Sequence, residues 1–134
     1  MTIVFADTFL WLALVHPKDS WHARATSFLD NFSGKIVTSD WVFMEVGDAM
    51  ASTEQGRNEF VALRIDVLGD ADISFVPCER PLLNDAVALY HARLDKQWSL
   101  TDCTSFVVMN RLGISEALTG DHHFEQAGFV ALLK

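Results

Sequence analysis

Five short apolar runs, at residues 3–6, 35–38, 73–76, 114–118 and 129–133, alternate along the chain with stretches of helical period. Parallel neighbours in a sheet need a crossover connection, and such crossovers are right-handed. The alternation therefore predicts an α/β fold with three layers, α/β/α, around a central parallel sheet of about five short strands. At 134 residues and 50% hydrophobic content the chain fits one compact domain spanning 1–134, with a core that needs no disulfide or structural metal. No repeat, linker or low-complexity tract interrupts it.

The helices are legible from their caps and breaks. The first run ends in Asp7, after which Phe9, Leu10, Leu12, Ala13 and Leu14 continue as a strongly apolar helix. Pro17 stops that pattern, and residues 20–32 resume it with Trp21, Ala25, Phe28 and Leu29 on one side. Ser39 or Asp40 caps the third helix, at residues 41–50, and Gln55 and Gly56 read as a turn before a fourth helix that ends near Gly69. Pro81 suits the first turn of a fifth. Ser99 and Thr101 are candidate caps for a sixth, which Gly113 ends.

Four acids stand where this architecture gathers functional groups. In an open parallel sheet, ligands bind outside the carboxyl ends of the strands, so Asp7 after the first strand and Asp121 after the fourth face one crevice. Asp102 and Glu45 belong to the early part of helices that start toward the same edge. Each acid also has a purely structural reading. Asp7 suits an N-cap, Ser99-x-x-Asp102 has the form of a capping box, Asp121 suits a turn, and Glu45 could share a solvent stripe with Asp48. Carboxylates that converge repel unless protonated or neutralised, and hard oxygen ligands select Mg²⁺ or Mn²⁺. Such an ion bridges to phosphate, which makes phosphodiester hydrolysis the natural chemistry.

The remaining composition narrows the alternatives. A formal charge of −8 argues against coating nucleic acid by bulk electrostatics, but catalytic carboxylates contribute to that charge, so a nuclease stays open. No apolar run has the roughly 20 residues of a membrane span and no signal peptide is visible, which predicts a cytoplasmic protein. Cys78 and Cys103 lack ligand spacing and are read as reduced core thiols. The histidines, including the adjacent His122 and His123, form no i,i+4 ligand pair and are read as surface, turn or core residues.

The residues carry a family resemblance. An apolar strand ending in Asp7-Thr8, Glu45 inside an apolar helix, Ser99-Leu100-Thr101-Asp102, and Leu118-Thr119-Gly120-Asp121 with Phe124 and Gly128-Phe129 together resemble PIN-domain ribonucleases, in particular the VapC-type toxins of toxin–antitoxin pairs. These blocks span nearly the whole chain in the family's order. The resemblance implies a Mg²⁺- or Mn²⁺-dependent endoribonuclease, the toxin of a type II system, leaving a 5′-phosphate and a 3′-hydroxyl. It assigns Asp7, Glu45 and Asp102 as metal-binding catalytic acids and Asp121 as a fourth, more variable one, with Thr8, Thr119 and Ser99 in support. It also implies homodimers and a cognate antitoxin. Trp11 and Trp21 are candidates for the antitoxin groove. Phe9 departs from the small polar residue that many relatives carry after Asp-Thr.

Other classes fit less well. A haloacid-dehalogenase-type phosphotransferase wants a second Asp where Phe9 stands, and a receiver domain wants an acceptor Asp after the third strand, where Pro77 stands. A catalytically silent PIN-like module binding RNA or protein would not need all four acids. A PIN nuclease of RNA processing remains the alternative within the enzymes.

Overall fold

The structure, a computed structural model, describes residues 2–134. In chain order the elements are β1 (Ile3–Ala6), α1 (Thr8–Val15), α2 (His22–Asn31), β2 (Lys35–Ser39), α3 (Asp40–Ala49), α4 (Glu54–Leu68), β3 (Ile73–Val76), α5 (Arg80–Ala92), α6 (Leu100–Leu112), β4 (Glu116–Leu118), α7 (His122–Gln126) and β5 (Val130–Ala131). All strands pair in parallel, in the order β3-β2-β1-β4-β5. The chain moves outward from β1 to β3, then returns past β1 to build β4 and β5. Right-handed crossovers in the two directions lay helices on opposite faces, which yields the expected three layers. The reversal leaves a crevice between β1 and β4, where such sheets keep their ligands.

Local chemistry explains most boundaries. Asp7, Ser39, Thr53, Ser99 and Asp121 each cap a helix through a side-chain oxygen. Gly113 ends α6 at φ 68°, the left-handed conformation glycine adopts without strain. Two expectations change. Gln55 and Gly56 lie inside α4, because Thr53 caps that helix earlier and accepts the Gly56 N–H at 2.9 Å. His122 and His123 open α7 rather than lying in a turn.

Two aromatic groups fix the helices beside the crevice. Phe106 on α6 meets Trp98 and Phe124 edge-on, both at 5.0 Å between ring centres, and Trp98 Nε1 donates to Gln126 Oε1 at 3.0 Å. That cluster locks the start of α6 against α7. On the other side Trp11 packs on Phe43 and donates to Thr38 Oγ1, which itself donates to the Ala6 carbonyl at 2.8 Å. Trp11 is therefore a core residue that ties α1 to β2, and it offers no surface to a partner. Cys103 is buried as expected, and burial first and the Asp102 charge second push its thiol up to about 11; Cys78 is exposed, against expectation. Among the described residues no helix is long and apolar enough to cross a membrane.

Candidate active site

The register of β1 and β4 creates the site. Ala6 pairs with Leu118, the last residues of the two strands, so the residues that follow them emerge side by side. Thr119 Oγ1 donates to Asp7 Oδ2 at 3.0 Å and accepts the Asp121 N–H at 3.0 Å. One hydroxyl thus joins two acids that lie 114 residues apart in sequence. Asp7 also caps α1, accepting the Leu10 N–H at 3.4 Å on Oδ1.

Asp102 arrives from a different direction. The helix α6 follows another helix, α5, rather than a strand, but it runs directly into β4 and so must start at the carboxyl edge of the sheet. Its capping box is complete: Ser99 Oγ accepts the Asp102 N–H at 2.9 Å, and the Ser99 N–H donates to Asp102 Oδ2 at 3.1 Å. The capping and site readings of Asp102 are therefore one geometry, since the box is what points this carboxylate at its neighbours. Ser99→Ala should lower stability by about 1 kcal/mol through the lost cap, read as a shift in the urea midpoint.

His123 completes the arrangement. Its Nδ1 lies 3.0 Å from Asp102 Oδ2 and 3.6 Å from Asp121 Oδ1, and its side chain is only 20% exposed. Asp121 caps α7 and accepts the His123 N–H at 2.9 Å. A search for i,i+4 histidine pairs misses this residue because its partner sits on another helix. The local signal is a histidine two residues after Asp121, the acid in the turn between β4 and α7.

The carboxylates feel one another. Burial raises the Asp7 carboxyl well above its ordinary range; the hydrogen bonds from Thr119 and Leu10 oppose that, and the charges of Asp102 and Asp121 add to it. Asp102 is likewise raised, first by burial, with the Ser99 and His123 hydrogen bonds opposing and the Asp121 charge adding. Among the described residues no Lys or Arg pairs with any of the three; Arg93 and Lys96, close to α6 in sequence, pair with Asp95 instead.

The donor set suits a hard divalent cation. Three carboxylates converge with no Lys or Arg beside them, and the adjacent Thr8 Oγ1 is buried with no hydrogen-bond partner among the described residues. The side chains of Asp121, His122 and His123 also place one ligand atom each within 4.8 Å of one another. Glu45 is not joined to this group by a hydrogen bond among the described residues. It is the sixth residue of α3, beyond the first turn, half-buried, and among the described residues it has no ion pair. Its helix packs against both α1 and α6.

Phe9 has a visible role. It meets Trp21 edge-on at 5.2 Å, and a Cβ on Gly120 would come within 2.7 Å of Phe9 Cζ and 3.0 Å of Trp21. Glycine at 120 lets this pair close over the Thr119–Asp121 turn. Trp21 is half-buried there, with Arg24 over its ring.

No family model matches the chain. The 23S rRNA-specific endonuclease VapC20 of Mycobacterium tuberculosis is 28% identical over 129 residues, 96% of this chain and 96% of that protein. The crystal structure of M. tuberculosis VapC20, described as a Sarcin-Ricin loop cleaving toxin, superposes with a TM-score of 0.86 at 27% identity, over 96% of this chain and 97% of that one. FitAB, described as bound to an IR36 DNA fragment, shares the fold at a TM-score of 0.69 and 16% identity, over 97% and 92% of the two chains. A toxin–antitoxin complex from Klebsiella pneumoniae does so at 0.60 and 18%, over 89% and 87%. Likeness along almost the whole chain bears out the resemblance to VapC-type PIN-domain proteins and the fold expected from it.

Proposed function

We propose that this chain is a metal-dependent endoribonuclease acting as the toxin of a toxin–antitoxin pair. The observation that carries this reading is the convergence of Asp7, Asp102 and Asp121 at the carboxyl edge of the sheet with, among the described residues, no Lys or Arg to neutralise them. Full-length similarity to an rRNA-specific endonuclease supports the substrate class.

In this reading Asp7, Asp102 and Asp121 hold a Mg²⁺ or Mn²⁺ ion, with Glu45 an additional acid of the same crevice. When bound, the ion supplies an activated water and neutralises charge on the phosphate oxygens. Thr119 fixes Asp7 relative to Asp121, and Ser99 orients Asp102 through its backbone N–H. Both Asp7 oxygens already accept protein hydrogen bonds, whereas Asp102 offers Oδ1 and Asp121 offers Oδ2 to a ligand. Thr8, next to Asp7, has a buried hydroxyl that a bound water would satisfy.

A homodimer, a cognate antitoxin and action on cytoplasmic RNA complete the proposal. Met44, Val61 and Ile65 leave an apolar strip exposed on α3 and α4, which suits an antitoxin better than the buried Trp11.

The test is cleavage of a mixed RNA pool by purified protein freed of any copurifying partner, with Mg²⁺ or Mn²⁺ supplied. Wild type should cleave, and Asp102→Asn should lose more than about 100-fold in rate, beyond what removal of a supporting hydrogen bond brings. A wild type that neither cleaves RNA nor binds metal would replace this reading with a silent binding module.

A further inference from the structure

We infer that His123 is a positioning residue of this site, donating from Nδ1 to Asp102 Oδ2 so that Oδ1 is held toward the cation. The inference rests on the metal-site reading above.

An ionised carboxylate only accepts hydrogen bonds, so the 3.0 Å contact requires the hydrogen of the imidazole to sit on Nδ1. Oδ2 then takes two donors, the Ser99 N–H along its own helix and the His123 ring from α7. One donor leaves a carboxylate free to rotate about its last torsion; two donors from different elements fix its plane. The remaining oxygen, Oδ1, accepts no hydrogen bond from the described residues and is left for a ligand.

The scaffold behind His123 is built to keep it there. Its own backbone N–H is tied to Asp121 Oδ1, and the next residue, Phe124, is fully buried against Phe106 of α6. The Trp98–Gln126 bond joins the far end of α7 to the segment that precedes Ser99. These contacts tie α7 to α6 on both sides of His123 and hold its backbone beside Asp102. His123 touches both acids at once, Asp121 through its backbone and Asp102 through its ring, and among the described residues no other histidine does so.

Ligation of the ion through Nδ1 would need that nitrogen stripped of its hydrogen and would take a donor away from Asp102, whereas ligation through Nε2 would keep the Asp102 bond and would show as a nitrogen bonded to the ion. Hydrogen-bonded partners of metal-binding carboxylates change metal affinity or activity about 10–100-fold when removed. The two roles separate experimentally. Mn²⁺ is titrated by calorimetry into metal-stripped wild type, H123A, H123N and H123Q, and Mn²⁺-loaded wild type is examined by pulsed electron paramagnetic resonance for a directly bonded nitrogen.

The expected result is a loss of affinity of about 10–100-fold in H123A. H123N, whose amide nitrogen stands where Nδ1 stands, should recover most of it, and H123Q should not. Wild type should show no nitrogen bonded to Mn²⁺, and RNA cleavage by H123A at saturating Mn²⁺ should fall in kcat with KM for RNA unchanged. If H123A fails to fold, the contrast between H123N and H123Q carries the test. H123A binding Mn²⁺ like wild type, H123N no better than H123Q, or a bonded nitrogen each overturns the inference while leaving the site reading intact. A wild type that binds no Mn²⁺ overturns both.

Discussion

Replacing Asp7 with Asn should reduce RNA cleavage by more than about 100-fold and at the same time raise the thermal midpoint of the metal-free protein. The two effects have one cause. Asp7 is 6% exposed, and burial, the largest influence on it, disfavours its charged form. Its folded pKa therefore lies above the unfolded value of 3.8. Between those two values the folded chain keeps a proton that the unfolded chain has released. Stability from this group is thus fully present below pH 3.8 and is lost as pH rises through the folded pKa. Asp102 is shifted in the same direction and adds to the trend. Asn cannot ionise, so its stability advantage over wild type should widen with rising pH.

A bound cation reverses the comparison. Ligand that binds only the folded state stabilises by about 2.7 kcal/mol at 100 times its dissociation constant, and wild type should gain this where Asp7→Asn does not. Calorimetric midpoints at several pH values, with and without Mn²⁺, read both halves. An Asn variant less stable than wild type at every pH without metal, or one stabilised by Mn²⁺ as much as wild type, would show that Asp7 is an ordinary cap. A site that destabilises its own fold until loaded is the expected form of a built metal centre.

Why some of this was legible in the sequence and some was not follows from how each residue is held. The ends of β1 and β4 could be read from short apolar runs followed by Asp7 and by Thr119-Gly120-Asp121, because both runs are buried and turn chemistry bounds them. Parallel pairing then forces their ends together. Asp102 was legible for a reason that looked like an objection: the capping box that explains it locally also aims it. Glu45 stands out in the sequence because a charge inside WVFMEVGDAM is unusual, yet its position past the first turn of α3 leaves it outside the hydrogen-bonded group. Helical period registers a face and says little of how far along that face a residue reaches.

His123 and Trp11 show the complementary failure. The partner of His123 lies 21 residues away on another helix, so no local spacing reports it. Trp11 sits on an all-apolar helix, where period cannot separate the buried face from the exposed one, and only its bond to Thr38 on β2 reveals which it is. The Phe9–Trp21 pair over Gly120 belongs to the same class, a contact between α1, the start of α2 and the turn after β4 that has no one-dimensional signature.

Thr119 is where fold and site are least separable, and Thr119→Val should damage both. The residue is fully buried, and valine matches its shape without the hydroxyl. The substitution strips a donor from Asp7 Oδ2 and an acceptor from the Asp121 N–H. Each group left buried and unsatisfied costs about 1–3 kcal/mol, so the urea midpoint should fall well below that of wild type. Cleavage and Mn²⁺ affinity should drop about 10–100-fold as well, because the two acids lose the atom that sets their spacing. Losing the Thr119 bond also removes the larger of the two hydrogen bonds that hold Asp7 down, so its carboxyl moves further up and ionises less readily for a cation. Thr119→Ser separates hydroxyl from volume. Serine keeps both hydrogen bonds and gives up one methyl, worth about 1 kcal/mol, so it should bind Mn²⁺ nearly as wild type does. A serine variant as impaired as valine would mean that the methyl packing at this position, rather than the bridge between Asp7 and Asp121, is what orders the crevice.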